Sequence, residues 1–422
     1  MAKVAIIGGG ASGLAAGIAA ARLGADVHVL ETADRVGKKI LATGNGRCNL
    51  SNSDIFASDY NDPSFVQEAM NELPPEDVQA FFSDLGLLCF EEDEGRIYPY
   101  SNKAATVLDM LRLGLAEAGG RERCGREVRA VEPSARGGFS VQFADGGAEG
   151  FDAAVVAVGG NPARRLLPKD VTMHACRPVL AGLKTDTDAI KGLSGIRVRA
   201  RLFLDEDPED LRDAWLDVVD PDYQADYSGP EERGEVLFRD WGISGIAAFD
   251  MSRHVRPGQM VFIDMLPDLD PQDKVDFIYG QAMAHPERTA AQVLSGMLPS
   301  RVAHAVARAA GLDPDEPIIA EEEAVVLAMA SESFGLTVRG IADAKQAQVM
   351  RGGYATEQVD AATMGVMGHE GLFICGEALD VDGRCGGYNL HWAWTSGLLA
   401  GRAAAGVSAT PASRPRLSLS GK

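Results

Sequence analysis

The chain has 422 residues, 46% hydrophobic and 24% charged, the balance of a soluble globular protein too long for one ordinary core, so two or three structural units are expected. A formal net charge of −21 argues against nucleic acid, whose phosphates need a basic face, and against an anionic membrane surface. The most apolar run, residues 390–405, is broken by His391, Ser396, Gly397 and Arg402, so no membrane span is expected.

In chain order, residues 3–7 read as a strand, Gly8, Gly9, Gly10, Ala11, Ser12 and Gly13 as a turn, residues 14–23 as a helix, and 26–30 as a second strand ending on Glu31. This is a βαβ dinucleotide fingerprint. Gly8 permits the tight turn, Gly10 lets backbone approach a pyrophosphate, and Gly13 lets the helix pack on the strand, with the helix N–H groups facing phosphate. Glu31 stands where a carboxylate can accept from an adenosine ribose. The same stretch loosely imitates a signal peptide, but the glycine spacing and the strand that follows argue otherwise. The six cysteines form no C-x-x-C pair, which suits reduced thiols and a cytoplasmic protein.

After Glu31 the chain carries Gly37, Lys38, Lys39, then Thr43, Gly44, Asn45, Gly46, Arg47, Cys48 and Asn49. A second glycine cluster with basic residues suits a cofactor longer than a nicotinamide dinucleotide, and FAD is such a cofactor. Lys38 and Arg47 are candidate phosphate or ribityl contacts. Residues 63–86 read as helical, 95–99 as a short turn or strand, and 103–118 as an amphipathic helix. Residues 127–131, 138–143 and 151–158 read as meander strands. The last ends at Gly159 and Gly160, where backbone can approach a ligand, and Val128 is placed to close over an adenine.

From residue 177 the character changes. Residues 196–204, 234–238, 242–251 and 259–266 have strand composition, with an acidic loop at 205–232. Residues 268–333 read as helical with breaks at Pro286, Pro299 and Pro314 to Pro317, and 334–341 and 346–351 return to strand. The expected organisation is a discontinuous α/β FAD-binding domain (1–175 and 352–407), an inserted β domain (176–267 and 334–351), a small inserted helical domain (268–333) and a flexible tail (408–422). The return segment holds a short strand at 371–375, then Gly376, Glu377, Asp380, Asp382, Gly386, Gly387, Asn389 and Leu390, with a helix from Asn389 to Ala405. Acids there can accept from ribityl hydroxyls, and the helix amides can face the negative charge of a reduced flavin.

With both ends read, the chain resembles the bacterial family of FAD-dependent oxidoreductases that contains the bile-acid enone reductases and the aminoacetone oxidases. The matching stretches are 6–13, 37–52 with Ala42-Thr43-Gly44-Asn45-Gly46-Arg47-Cys48-Asn49, 95–99, and 376–394 with Gly386-Gly387-Tyr388-Asn389 and Trp392-Ala393-Trp394. The resemblance implies a Rossmann-like FAD domain with a β-barrel-like insertion and a small helical domain. It implies that Ser12 and Glu31 contact the adenosine half, Lys38 the phosphates and Val128 the adenine, and that Asp380, Asn389 and Leu390 contact the ribityl or flavin half. His391 stands where the family often has Gln, and Tyr354-Ala355-Thr356-Glu357 replaces a more typical small, hydroxyl and basic run, which leaves the substrate open.

The functional expectation is a flavoenzyme that passes hydride through flavin N5, in a cleft between the FAD and inserted domains, to or from a small organic substrate. NAD(P)H is the candidate donor for reduction of an activated double bond. The alternatives are an oxygen-dependent oxidase of a small amine such as an aminoketone, and a flavin-bound sensor without turnover. Asn389, His391 and Cys48 are the candidate catalytic residues. A disulfide mechanism at Cys48 would need a second thiol, and a lone Cys is more often a small buried residue; His391 can relay protons or merely pack. The seven histidines show no metal spacing, so no metal is expected. No second glycine fingerprint follows Gly160, so a nicotinamide would have to share the substrate's site.

Overall fold

The computed structural model describes residues 1–135, 137–160, 166–204, 229–344 and 347–406. The expected tail at 408–422, most of the acidic loop and Gln346 lie outside them. Two compact units divide the chain, one formed by Met1–Arg177 and Val349–Lys422, the other by Pro178–Gln348.

The first unit is built on a seven-stranded sheet. Strand β1 (Lys3–Ile7), helix α1 (Ala11–Arg22) and strand β2 (Asp26–Glu31) form the N-terminal βαβ unit. After helix α2 (Ala104–Glu117), strands β3 (Arg121–Cys124), β4 (Ala153–Val156) and β5 (Leu372–Ile374) complete the parallel layer in the order β5-β4-β1-β2-β3. A short antiparallel hairpin, Val359–Asp360 with Gly365–Val366, extends it beyond β5. Val4, Ala5, Ile6, Val155 and Val156 are all fully buried, as a strand covered on both faces requires. The stretch expected as one strand at 151–158 divides at Asp152. Ala148–Phe151 pairs in the antiparallel meander with Phe139–Phe143, whereas β4 joins the parallel sheet. The division is held by Lys3, whose N–H donates to the Asp152 carboxylate and whose carbonyl accepts from Asp152 N–H, both at 2.8 Å.

Helix α3 (Tyr388–Ala404) returns to this sheet and lies along α1. The approach is permitted by two glycines one turn apart. A Cβ on Gly397 would stand 2.4 Å from the Ser12 carbonyl oxygen, and one on Gly401 would stand 2.2 Å from that of Ala16. Both partner positions advance together, so the helices run parallel. The first residue of α3 therefore lies nine positions before its contact with the start of α1, roughly 13 Å at the helical rise.

The second unit is a closed antiparallel barrel ordered Leu183–Thr185, Gly242–Ser244, Glu231–Arg239, Arg197–Phe203, Met260–Asp264 and Phe334–Ile341. Helices Pro271–Ala284, Ala290–Leu294, Ser300–Ala309 and Glu321–Glu332 share one hydrophobic core with it. The strand expected over 242–251 stops at Ser244, and Ile246–Met251 is helical. Gly245 makes the break, because its φ of +99° leaves the strand region and a Cβ there would stand 2.2 Å from the Glu235 carbonyl oxygen. Lys274, 1% exposed, is neutralised by Asp264 at 3.2 Å and Glu332 at 2.5 Å, which ties two of the helices to the barrel strand.

Candidate cofactor and active site

The turn after β1 is constrained on all sides but one. Gly8 has φ +107°, and a Cβ there would stand 2.3 Å from the Ala157 carbonyl oxygen; one on Gly13 would stand 1.9 Å from that of Gly8. Around Gly10, by contrast, a Cβ would meet nothing within 4 Å. This open face adjoins the N-terminus of α1, where Gly10 is the N-cap, no side chain caps the amides and no acid stands in the first turn. Such a terminus carries free N–H groups and partial positive charge, the chemistry that accepts a pyrophosphate.

Glu31 is fixed at the end of β2 by two donors, Gly9 N–H to Oε2 and Ala33 N–H to Oε1, each at 2.8 Å. Two of about four carboxylate acceptor positions are thus used, and the rest can receive hydroxyls. Arg126 N–H donates to the Glu31 carbonyl at 2.9 Å, which brings Val128, 8% exposed, into the same neighbourhood. Ser12, expected at the adenosine half, is 6% exposed at the start of α1. Its hydroxyl would lie 2.5 Å from a Cβ on Gly376, so it packs where the two ends of the chain meet.

The loop after β2 is pinned where Gly37, at φ +71°, donates its N–H to the Gly9 carbonyl at 2.7 Å. Lys38 is half exposed and paired with Asp34 at 2.5 Å, while its neighbour Lys39 bonds Glu377 at 2.6 Å. Glu377 also accepts from Met350 N–H at 2.8 Å and abuts Gly160, next to Gly159 with its φ of +77°. Arg47 donates to both oxygens of Glu92 and to Asn102 Oδ1, and its guanidinium lies 3.9 Å from the Tyr98 ring centroid. Its charge therefore serves to fold the loop. Gly44, Asn45, Gly46 and Cys48 all have positive φ, between +55° and +83°, a left-handed run compact enough to turn Asn49 toward α3. Cys48 is fully buried, and desolvation pushes its thiol up to about 12, so no thiolate forms near neutrality and the residue packs. None of the six cysteines is in a disulfide.

The second cradle begins at Gly376, φ +66°, whose N–H donates to Ser396 Oγ at 2.8 Å and whose carbonyl accepts from Trp392 Nε1 at 3.3 Å. Asp380 accepts from Gly352 N–H at 2.8 Å and faces His174 Nδ1 at 2.8 Å. The Asn389 side chain is spent on the loop before the helix, accepting from Gly383 N–H and donating to the Gly383 and Arg384 carbonyls. What the start of α3 offers a ligand is its backbone, where Gly387 at φ +109° is an uncapped N-cap and Asn389 and Leu390 lie in the first turn. His391 is fully buried with Nδ1 2.9 Å from Ser51 Oγ, and its Nε2 has no partner among the described residues. As catalytic groups, Cys48 and His391 would have to act through neighbours.

Burial holds the His391 imidazole neutral, its pKa pushed down to about 3. The unfolded chain takes up that proton near pH 6.5, so the fold loses stability as pH falls below about 6.5, and the loss levels off near 3. Urea unfolding of His391→Gln should therefore show a shallower decline between pH 6 and 4, by up to about 1.4 kcal/mol per pH unit. Parallel declines would mean that the imidazole is protonated inside the fold.

Two uncapped helix N-termini offset along parallel axes, an open glycine face and an acid fixed at the end of β2 suit one elongated dinucleotide. Fold and cradles define a Rossmann-type FAD oxidoreductase. The chain belongs to the HI0933-like protein Rossmann domain family, whose model matches residues 2–403. It is 33% identical over 427 aligned positions, covering 96% of this chain and 99% of the relative, to the 3-dehydro-bile acid delta(4,6)-reductase of Clostridium scindens. It is 27% identical over 401 positions, 93% of this chain and 95% of the relative, to the ribosomal RNA dihydrouridine synthase of Escherichia coli. Among solved structures, the open conformation of a flavocytochrome c3 fumarate reductase is 16% identical with a TM-score of 0.43, over 96% of this chain and 78% of that one.

Lys39 and Ser51 stood within or beside motifs whose neighbours drew attention instead. Glu377, one of the acids expected on the ribityl side, is bound by Lys39 and Met350 N–H. The pairing of Ser51 with His391, 340 positions apart, leaves no trace in spacing. Among the described residues no helix is long and apolar enough to cross a membrane.

Proposed function

We propose that this protein uses FAD to reduce an activated carbon–carbon double bond of a small organic molecule, with NAD(P)H as the electron donor. The observation that carries the reading is the offset of the two helix N-termini, roughly 13 Å, which one long flavin dinucleotide can span and a short phosphate ligand cannot. The end-to-end likeness to a 3-dehydro-bile acid delta(4,6)-reductase supports the direction of reaction. FAD supplies the hydride-carrying ring. The protein's own part is to bind and orient, with the α1 amides and Gly10 face holding pyrophosphate, Glu31 the ribose, and the α3 amides the electron-rich pyrimidine edge.

An RNA substrate, as in the name of the Escherichia coli relative, fits less well, because a chain of net charge −21 repels a phosphate backbone. The described residues of the second unit form a barrel and helices rather than a second strand–glycine–helix fingerprint. The nicotinamide donor and the oxidised substrate accordingly use one site in turn. Anaerobic NADPH or NADH should bleach the bound flavin without substrate, and steady-state rates should give parallel double-reciprocal lines. Bleaching by an aminoketone alone would favour an amine oxidase, and no bleaching by either a sensor. Intersecting lines with simultaneous binding of a nicotinamide analogue and substrate would refute the shared site.

A further inference from the structure

We infer that Asn49 selects the orientation of the flavin ring by accepting a hydrogen bond from its N3–H, an inference that rests on the FAD reading above. Asn49 Oδ1 is a buried acceptor without a hydrogen-bond partner among the described residues. Its position is set from both sides. Before it, the left-handed turn closes through Cys48 N–H to the Thr43 carbonyl at 3.1 Å; after it, Leu50 donates its N–H to Ile97 at 2.9 Å and accepts from Trp394 Nε1 at 2.9 Å. The side chain thereby comes against the start of α3, where a Cβ on the N-cap Gly387 would stand 3.0 Å from Asn49 Oδ1.

The chemistry of that corner is specific. The amides of Asn389 and Leu390 lie in the first turn of a helix whose N-cap, Gly387, offers no capping side chain, so they are donors. Beside them stands Asn49 Oδ1, a fixed side-chain acceptor with no hydrogen-bond partner among the described residues. The pyrimidine edge of a flavin presents the complementary order, with N1 and the C2 carbonyl as acceptors next to N3–H as a donor. Turned over, the ring would set no donor against Asn49, and a buried acceptor left unpaired is costly. The glycine at 387 is required for its φ of +109° and because a Cβ there would stand 2.3 Å from the Ser51 carbonyl oxygen, as well as 3.0 Å from Asn49 Oδ1. Asn49 is a positioning residue for the cofactor and takes no proton from the substrate.

The test measures uptake of FAD and of N3-methyl-FAD by the apoprotein, followed by flavin fluorescence, in the native chain and in Asn49→Ala. A methyl at N3 removes the donor and adds bulk at Oδ1, so the native chain should bind the methylated cofactor at least about tenfold more weakly. In Asn49→Ala, which removes the acceptor and makes room, the two cofactors should bind within about threefold of each other. A merely structural Asn49 would weaken both cofactors equally and leave the preference intact, which would overturn the inference, as would a native chain that binds both alike. Asn49→Gln, which keeps the amide, serves if the alanine variant fails to fold; by displacing the acceptor it should also erode the preference, and an undiminished preference would overturn the inference. A native chain that takes up no FAD would remove the cofactor reading itself, whereas uptake without discrimination removes only the role of Asn49.

Discussion

Valine at Gly10 is expected to give a protein that folds and carries no flavin. Gly10 has φ −82° and ψ −163°, an ordinary extended conformation for any residue, and nothing lies within 4 Å of a Cβ placed there. The fold therefore accepts the side chain, and unfolding of the apoprotein should stay within about 0.5 kcal/mol of the native chain. The same side chain occupies the open face through which a pyrophosphate must reach the α1 amides. A clash of a few kcal/mol at that contact should weaken FAD about a hundredfold, so the purified protein should be colourless. Gly13→Val provides the contrast, since its Cβ would stand 1.9 Å from the Gly8 carbonyl oxygen and the βαβ unit itself should fail. Gly10→Val protein isolated with a full complement of FAD would remove the pyrophosphate from this turn.

Alanine at Gly401 should strike the fold first and the cofactor second. The added carbon would stand 2.2 Å from the Ala16 carbonyl oxygen and 2.8 Å from the Ala16 carbonyl carbon and Cα, all backbone and unable to rotate away. Helices α1 and α3 would have to part, and overpacking of this kind costs about 1 to 3 kcal/mol, with backbone contacts toward the upper end. Because α3 carries the second cradle, the displacement should also lower FAD affinity. Gly150→Ala is the control, as it sits in a strand where a Cβ meets nothing within 4 Å. Equal unfolding midpoints for the two variants in urea would show that α1 and α3 are not in close contact at Gly401.

The residues that spoke most plainly in the sequence were those whose roles are local. Gly8, Gly10, Gly13 and Glu31 lie within one βαβ unit, and the expected first strand has the bounds Lys3–Ile7 in the structure. Strand Phe334–Ile341 likewise matches, because a run of alternating apolar residues states its own conformation. Reading was weaker where a polar side chain chooses its partner from afar. Lys38 and Arg47 looked alike as loop cations, yet Arg47 is drawn to Glu92 and Tyr98, on a separate hairpin, and the cation that meets the C-terminal cradle is Lys39. Asn389 presents its backbone at the start of α3, but its side chain is taken by the Gly383–Arg384 loop, a partner that spacing does not announce.

The sequence by itself determined that there are two glycine-opened helix N-termini, each suited to an electron-rich group, because φ requirements and helix starts are written in a few adjacent residues. It determined a parallel α/β unit interrupted by β and helical segments for the same reason. Only the tertiary structure decided that the two helices lie side by side with their N-termini offset along parallel axes. Gly397 and Gly401 carry no motif, and their meaning lies in the backbone of Ser12 and Ala16 across the helix interface. That contact fixes the offset of the two helix starts. A distance between elements hundreds of residues apart is set by packing, which no local pattern records.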